Sequence, residues 1–166
     1  MASTTIKVCG IEPESIVDGP GFRYVVFVQG CPHHCPGCHN PQSHAFEGGT
    51  PRTAAELFAE FRENPLLSGI TLSGGEPFCQ ASALCDLAAM VKSAGKTVVA
   101  YSGYTLEQLL EKAKIDPDIL RLLRLTDTLI DGPYIAAKRN LELLFRGSEN
   151  QRIIDMNEWF ATHENN

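Results

Sequence analysis

Basic side chains are in short supply here: 14 Lys and Arg stand against 20 Asp and Glu, a formal net charge of −6 over 166 residues. A nucleic-acid-binding chain normally carries a basic excess, so the balance argues against that class. Long apolar runs are missing as well. Runs such as Tyr24–Val28 and Val98–Tyr101 fall far short of the ~20 residues a membrane-spanning helix requires, and no membrane association is expected. The opening residues Met1-Ala2-Ser3-Thr4-Thr5-Ile6-Lys7 hold neither an apolar h-region nor a small-residue cleavage site. No secretory signal is visible, and a cytoplasmic location is expected. Internal repeats, low-complexity tracts and linkers are also absent, so 1–166 is read as a single domain. A full eight-fold β/α barrel takes ~250 residues, which excludes that closed form.

What is present alternates between strand and helix. Arg23–Gln29 carries the continuous apolar run of a strand covered on both faces, and a Pro/Gly-rich stretch follows from Cys31 to Pro51. An irregular loop of about twenty residues is uncommon in a compact domain unless it has a function. Thr53 and Glu56 have capping-box spacing ahead of a helix with Leu57, Phe58 and Phe61 on one stripe. Gly69–Ser73 reads as a strand, broken by Gly74-Gly75-Glu76-Pro77. Gln80–Ala94 reads as a helix, with Leu84, Leu87, Ala88 and Val91 at helical spacing and Gly95 after it. Lys96–Tyr101 is a strand, Thr105 and Gln108 open a helix, Asp116-Pro117 opens another, and Thr128–Asp131 is a strand. This order favours parallel strands joined by crossover helices. At ~30 residues per βαβ unit the chain holds roughly five units. The unusual loops, Cys31–Pro51, Gly74–Pro77, Ser102–Tyr104 and Gly132–Tyr134, all follow the C-terminal ends of strands. In α/β folds that rim is where sites are built. The expected architecture is α/β: an open, incomplete β/α (partial TIM-type) barrel of about five parallel βα units, with its chemistry at one mouth.

Three of the six cysteines fall within eight residues, Cys31-Pro32-His33-His34-Cys35-Pro36-Gly37-Cys38. In a reducing compartment, thiols bind metal or catalyse more often than they pair. The prolines and glycine keep this stretch out of a helix and let it curl round one centre. Thiolates are the usual ligands of iron–sulfur clusters, and a [4Fe–4S] cube normally takes four. Three local thiolates leave one iron open, as a catalytic metal needs and a structural one avoids. Two blander readings compete: a structural zinc site completed by His33, His34 or His39, and an electron-carrier cluster with Cys9, Cys79 or Cys85 as fourth ligand. Zinc ribbons normally show two knuckles, and only one is visible here.

The spacing Cys31-x3-Cys35-x2-Cys38 resembles the cluster signature of the radical S-adenosylmethionine (SAM) enzymes, and Gly74-Gly75-Glu76-Pro77 resembles their methionine-binding motif. Several further motifs narrow the resemblance to activases of glycyl radical enzymes, most of all the activating proteins of anaerobic (class III) ribonucleotide reductase. They are Asp18-Gly19-Pro20-Gly21, Gly30-Cys31-Pro32, Cys38-His39-Asn40, Ser102-Gly103-Tyr104, Asp131-Gly132-Pro133-Tyr134 and Arg146-Gly147-Ser148-Glu149-Asn150-Gln151. The likeness runs from about Ile16 to Arg152. One departure is Gly37, where many members of the superfamily place an aromatic residue against adenine.

The resemblance implies that Cys31, Cys35 and Cys38 hold a [4Fe–4S] cluster whose open iron is chelated by the amino and carboxylate groups of SAM. It implies reductive cleavage of SAM to methionine and a 5′-deoxyadenosyl radical, which takes hydrogen from a glycine Cα of the partner enzyme. That partner is expected to be the anaerobic ribonucleotide reductase large subunit, or alternatively pyruvate formate-lyase or another glycyl radical enzyme. The electron donor is expected to be flavodoxin or ferredoxin. Expected cofactor contacts are Gly37, Cys38, His39, Gly74, Gly75 and Glu76, with backbone groups favoured over the Glu76 carboxylate. The glycines suit close backbone approach. Against these stand plainer expectations: a solvated Glu76 in a simple turn, His33 and His34 on the loop surface, Cys9, Cys79 and Cys85 as buried thiols, and Ser102 and Tyr104 in a strand-end turn. For Arg146, Asn150 and Arg152, contact with the partner or the SAM carboxylate and a solvated C-terminal segment stand as equal alternatives.

Overall fold

The computed structural model describes residues 5–33, 44–133, 135, 138, 145–146 and 148–163. Seven strands lie among them: β1 (Thr5–Ser15), β2 (Arg23–Val28), β3 (Thr50–Thr53), β4 (Gly69–Gly74), β5 (Thr97–Tyr101), β6 (Thr128–Asp131) and β7 (Arg152–Asp155). Five helices accompany them: α1 (Ala54–Arg62), α2 (Ala81–Ser93), α3 (Leu106–Ala113), α4 (Pro117–Leu125) and α5 (Met156–His163). No helix among the described residues is long and apolar enough to cross a membrane.

The strands form one open sheet in the order β3-β1-β2-β4-β5-β6-β7. Its centre, β2-β4-β5-β6, is parallel, and its flanks β1, β3 and β7 are antiparallel. The expectation of about five parallel units is therefore corrected to four parallel strands with antiparallel edges. The short link between β1 and β2, 16–22, is too brief for a crossover helix, and only an antiparallel pairing can follow it.

Residue parity shows where the helices sit. The strand residues in the main apolar core are Ile6 and Val8 of β1, Tyr24, Val26 and Val28 of β2, Ile70 and Leu72 of β4, Val98 and Ala100 of β5, and Leu129 of β6. They alternate along each strand and so share one face of the sheet. Residues from all five helices join the same core, among them Leu57, Leu84, Leu109, Leu122 and Met156. All five helices thus cover a single face, as right-handed crossovers in one direction require. The helical stripe read from the sequence is correct: Leu84, Leu87, Ala88 and Val91 are all fully buried. Local signals also placed the helix starts. Thr105 and Gln108 form the full capping box, and Asp116 caps α4 ahead of Pro117. Thr53 accepts from the Glu56 N–H at 3.1 Å, while the Glu56 carboxylate turns to Arg52 at 2.9 Å.

Arg23 lies on the other face and is fully buried. Its guanidinium donates to Thr71 Oγ1 (3.2 Å), Thr97 Oγ1 (2.6 Å), the carbonyls of Ile70 (2.5 Å) and Thr97 (3.0 Å), and the carbonyl of Pro20 (3.4 Å). Burial lowers its pKa to about 10, opposed by the charges of Asp127 and Tyr101. The fork stitches the N-terminal ends of β2, β4 and β5 together and ties them to the link 16–22. Thr71 adds a second tie by donating to the Asp18 carbonyl at 2.6 Å.

Candidate functional site

The parallel ladder between β2 and β4 runs on past both strands into the two motifs that matter most. Gly75 N–H donates to the Val28 carbonyl and Glu76 N–H to the Gly30 carbonyl, both at 2.8 Å. The turn Gly74-Gly75-Glu76 is thereby seated directly on Gly30-Cys31. A Cβ on Gly75 would lie 2.2 Å from the Gly30 carbonyl oxygen, and one on Gly74 (φ +93°) would lie 2.5 Å from the Val28 nitrogen. Glycine is required at both positions because two stretches of backbone meet there. Close approach was expected from the sequence; the partner found in the fold is the chain itself.

Glu76 is fully buried, which excludes the plainer alternative of a solvated turn carboxylate. Its Oε1 accepts from the Gly103 N–H at 2.8 Å and from Ser102 Oγ at 3.0 Å, and bonds His33 Nε2 at 2.7 Å. Its Oε2 accepts from the Phe78 N–H at 3.2 Å and from Ser102 Oγ at 2.9 Å. The last N–H opens the 3-10 turn Pro77–Gln80, which Glu76 caps. An ionised carboxylate offers about four lone-pair sites, and here the protein's own donors use them. The carboxylate is therefore a structural hub joining the ends of β4 and β5 to the cysteine loop. Ser102, expected in a strand-end turn, is buried and serves that hub.

His33 is likewise not the loop-surface residue expected: its side chain is only 14% exposed. The ring packs edge-on against Tyr104 at 4.4 Å between centroids, and Lys112 Nζ lies 4.6 Å from the centre of the Tyr104 ring. Burial raises the Tyr104 pKa, with the charges of Cys79, Glu76 and Cys31 acting in the same direction. His33 and Ser102 are the participants that sequence reasoning missed. No local signal marked them; the sequence offered one for Glu76 alone, since an acidic residue just before Pro77 has the pattern of a helix cap rather than a free side chain.

Cys31 is buried, and its N–H donates to the His44 carbonyl at 3.0 Å. The two ends of the cysteine loop are thus joined. Cys35, Gly37, Cys38 and His39, with His34, lie outside the described residues. The donor chemistry suits an iron–sulfur cluster: a buried thiol stands at the C-terminal rim of the parallel strands, and the sequence that follows it carries two more cysteines. Among the described residues no three His, Cys, Asp or Glu side chains gather to hold a metal. Of the extra cysteines, Cys85 is core, as expected, fully buried on α2 with its thiol 3.5 Å from the Asp118 carbonyl. Burial pushes that thiol up to about 11. Cys9 lies half-buried on β1. Cys79 is exposed rather than buried, because the 3-10 turn carries it past the rim. Its thiol is nonetheless pushed up to about 11, by desolvation first and then by the charges of Glu76 and Cys31.

The late motif closes the other side of the rim. Asp131 is buried, accepts from the Leu106 N–H that begins α3 at 2.7 Å, and pairs with Arg152. Arg152 also holds Glu107 at 2.7 Å, and these two carboxylates raise its pKa. Asn150 Nδ2 donates to the Pro133 carbonyl (2.8 Å) and Gln151 Nε2 to the Gly132 carbonyl (3.1 Å). Arg146 donates to the Gln151 carbonyl at 3.0 Å. These residues form a folded-back rim, tied down by hydrogen bonds although Arg152 itself stays exposed.

Comparison with known proteins agrees with this geometry. The family model described as a 4Fe-4S single cluster domain matches residues 17–154. The anaerobic ribonucleoside-triphosphate reductase-activating protein of Salmonella typhi is 32% identical over 85% of this chain and 93% of its own length. The protein of that name from Vibrio cholerae is 34% identical over 85% and 92%. The pyruvate formate-lyase-activating enzyme of Listeria monocytogenes is 33% identical over 95% of this chain but only 64% of its own length.

Proposed function

This chain belongs to the radical SAM activases of glycyl radical enzymes, and on that premise we propose that its partner is an anaerobic ribonucleoside-triphosphate reductase. Near-complete mutual coverage with the reductase-activating proteins supports this reading over a pyruvate formate-lyase partner, whose activating enzyme has about a third of its length beyond the match. The cofactor is a 4Fe–4S cluster. Cys31, Cys35 and Cys38 would hold it, leaving one iron for SAM. When bound, the reduced cluster supplies the electron that splits SAM into methionine and a 5′-deoxyadenosyl radical.

The protein's own contribution is placement. The observation that carries the proposal is the seating of Gly74-Gly75-Glu76 on Gly30-Cys31 by two ladder bonds of 2.8 Å. It puts the motif assigned to the methionine end of SAM beside the first cluster cysteine. Because the Glu76 oxygens are occupied within the protein, the motif would meet SAM through the backbone of Gly74 and Gly75. Gly37 and His39 would lie toward adenine. The helix-free face of the open sheet, reached past Arg23 and the link 16–22, would be the inside of an incomplete barrel; helices confined to one face support that reading. A flavodoxin- or ferredoxin-type donor and a cytoplasmic location complete the proposal.

The test is anaerobic. Reconstituted, reduced protein given SAM should release 5′-deoxyadenosine, and Cys35→Ala should abolish that release. Adding candidate reductase should then produce a glycyl radical doublet by EPR. Equal 5′-deoxyadenosine from variant and parent would refute the mechanism, and a doublet only with pyruvate formate-lyase would refute the partner.

A further inference from the structure

We infer that His33 is a positioning residue that pins the cluster loop to the rim where SAM is to bind, an inference that rests on the function proposed above. Cys31 stands between two attachments to the same turn. On one side, the Gly30 carbonyl accepts from the Glu76 backbone N–H at 2.8 Å. On the other, His33 Nε2 bonds the Glu76 side chain at 2.7 Å. Glu76 thus grips the loop with its backbone before Cys31 and with its carboxylate after it.

The anchor itself is rigid. Both Glu76 oxygens are tied to backbone, one to Gly103 N–H and the other to Phe78 N–H. Those two donors lie in the segments that follow two different strands, β5 and β4, so the carboxylate has little freedom to follow a moving loop. Its Oε1 is the acceptor for Gly103 N–H and Ser102 Oγ, and in the Nε2–H tautomer His33 donates to it as well. The imidazole is confined as well. Tyr104 closes one side, and at Gly103 an added Cβ would lie 2.4 Å from His33 Cδ2. The pocket is shaped for this ring, and the absence of a side chain at Gly103 makes room for it.

His33 lies in the spacer between the first two cluster cysteines, so its bond fixes the path of the chain leaving Cys31. Fixing that path before SAM binds reduces the ordering cost of binding. Cluster retention depends on the three thiolates and should not depend on the imidazole.

The experiment follows the EPR spectrum of the reduced cluster during titration with SAM, in parent, His33→Ala and His33→Gln. Gln places an N–H donor at about the reach of Nε2, and Ala does not. His33→Ala should keep the parent's iron content and its spectrum without SAM. The SAM concentration for half-maximal spectral change should rise about tenfold, as expected for loss of one hydrogen bond to a charged group. His33→Gln should bring it back to within about threefold of the parent, since the donor is restored. An unchanged midpoint in His33→Ala, no rescue by His33→Gln, or iron lost from His33→Ala would each overturn the assignment. A parent whose spectrum ignores SAM would instead remove the underlying function.

Discussion

Replacing Glu76 by Gln tests the hub that organises the site. The two side chains are nearly the same shape, but Gln has one oxygen where Glu has two. Gly103 N–H approaches one oxygen at 2.8 Å and Phe78 N–H the other at 3.2 Å. Both donors are backbone and cannot rotate away, so in either orientation the amide NH2 of Gln must face one of them. An unpaired buried N–H costs about 1–3 kcal/mol, and the remaining bonds fall from charge-assisted to neutral strength. The lower cost of burying an uncharged group offsets part of this. The net loss should be about 2–4 kcal/mol, or roughly 5–15 °C in Tm for a chain of this size. The assay is anaerobic thermal unfolding of cluster-loaded protein by circular dichroism at one fixed scan rate, since loss of the cluster makes unfolding irreversible. Glu56→Gln is the control. Its side chain is 54% exposed and pairs with Arg52 on the surface, so the change should stay under about 1 kcal/mol. Equal melting temperatures for Glu76→Gln and Glu56→Gln would refute the hub.

Gly75→Ala forces a methyl to within 2.2 Å of the Gly30 carbonyl, displacing Cys31, and iron per chain after reconstitution should fall by more than half; Gly10→Ala, with open space around it, should retain full iron. Cys79→Ser should leave iron content and the cluster spectrum unchanged, because the exposed Cys79 is not a ligand in this reading; loss of the cluster would revive the electron-carrier alternative. Burial alone would raise the Asp127 pKa, but hydrogen bonds from Lys92, Asn157 and the Val98 N–H outweigh it and hold it below the ordinary value. A depressed folded pKa contributes stability that is complete above the unfolded value near ~4 and lost as pH falls through the folded one. Denaturant unfolding of Asp127→Asn should therefore show a flatter loss of stability below about pH 4 than the parent; parallel curves would contradict the assignment.

Much of the fold was legible from short-range signals. The strand Thr128–Asp131, the caps at Thr105 and Asp116 and the buried stripe of α2 all depend on residues within a few positions of one another. The edges were harder to read. β3 (Thr50–Thr53) includes Pro51 and lies at the end of the Pro/Gly-rich stretch, and its strand character comes only from pairing with β1. β7 has a half-exposed pattern with no run of its own and exists as a partner to β6. The same distinction holds at the site. Cys31 and the Gly-Gly-Glu-Pro turn were recognisable as motifs, whereas the roles of His33, Ser102 and Arg23 were not.

The sequence by itself determined which chemistry the chain carries, because three closely spaced thiols and a paired-glycine turn are defined by neighbours along the chain. Only the tertiary structure decided that Glu76 belongs to the scaffold and that His33 is its partner. Those two residues are 43 positions apart, and no local spacing encodes a contact created by laying β4 beside β2. Whether a carboxylate is solvated or satisfied from within depends on the donors the fold brings around it, and here they come from Phe78, Ser102, Gly103 and His33.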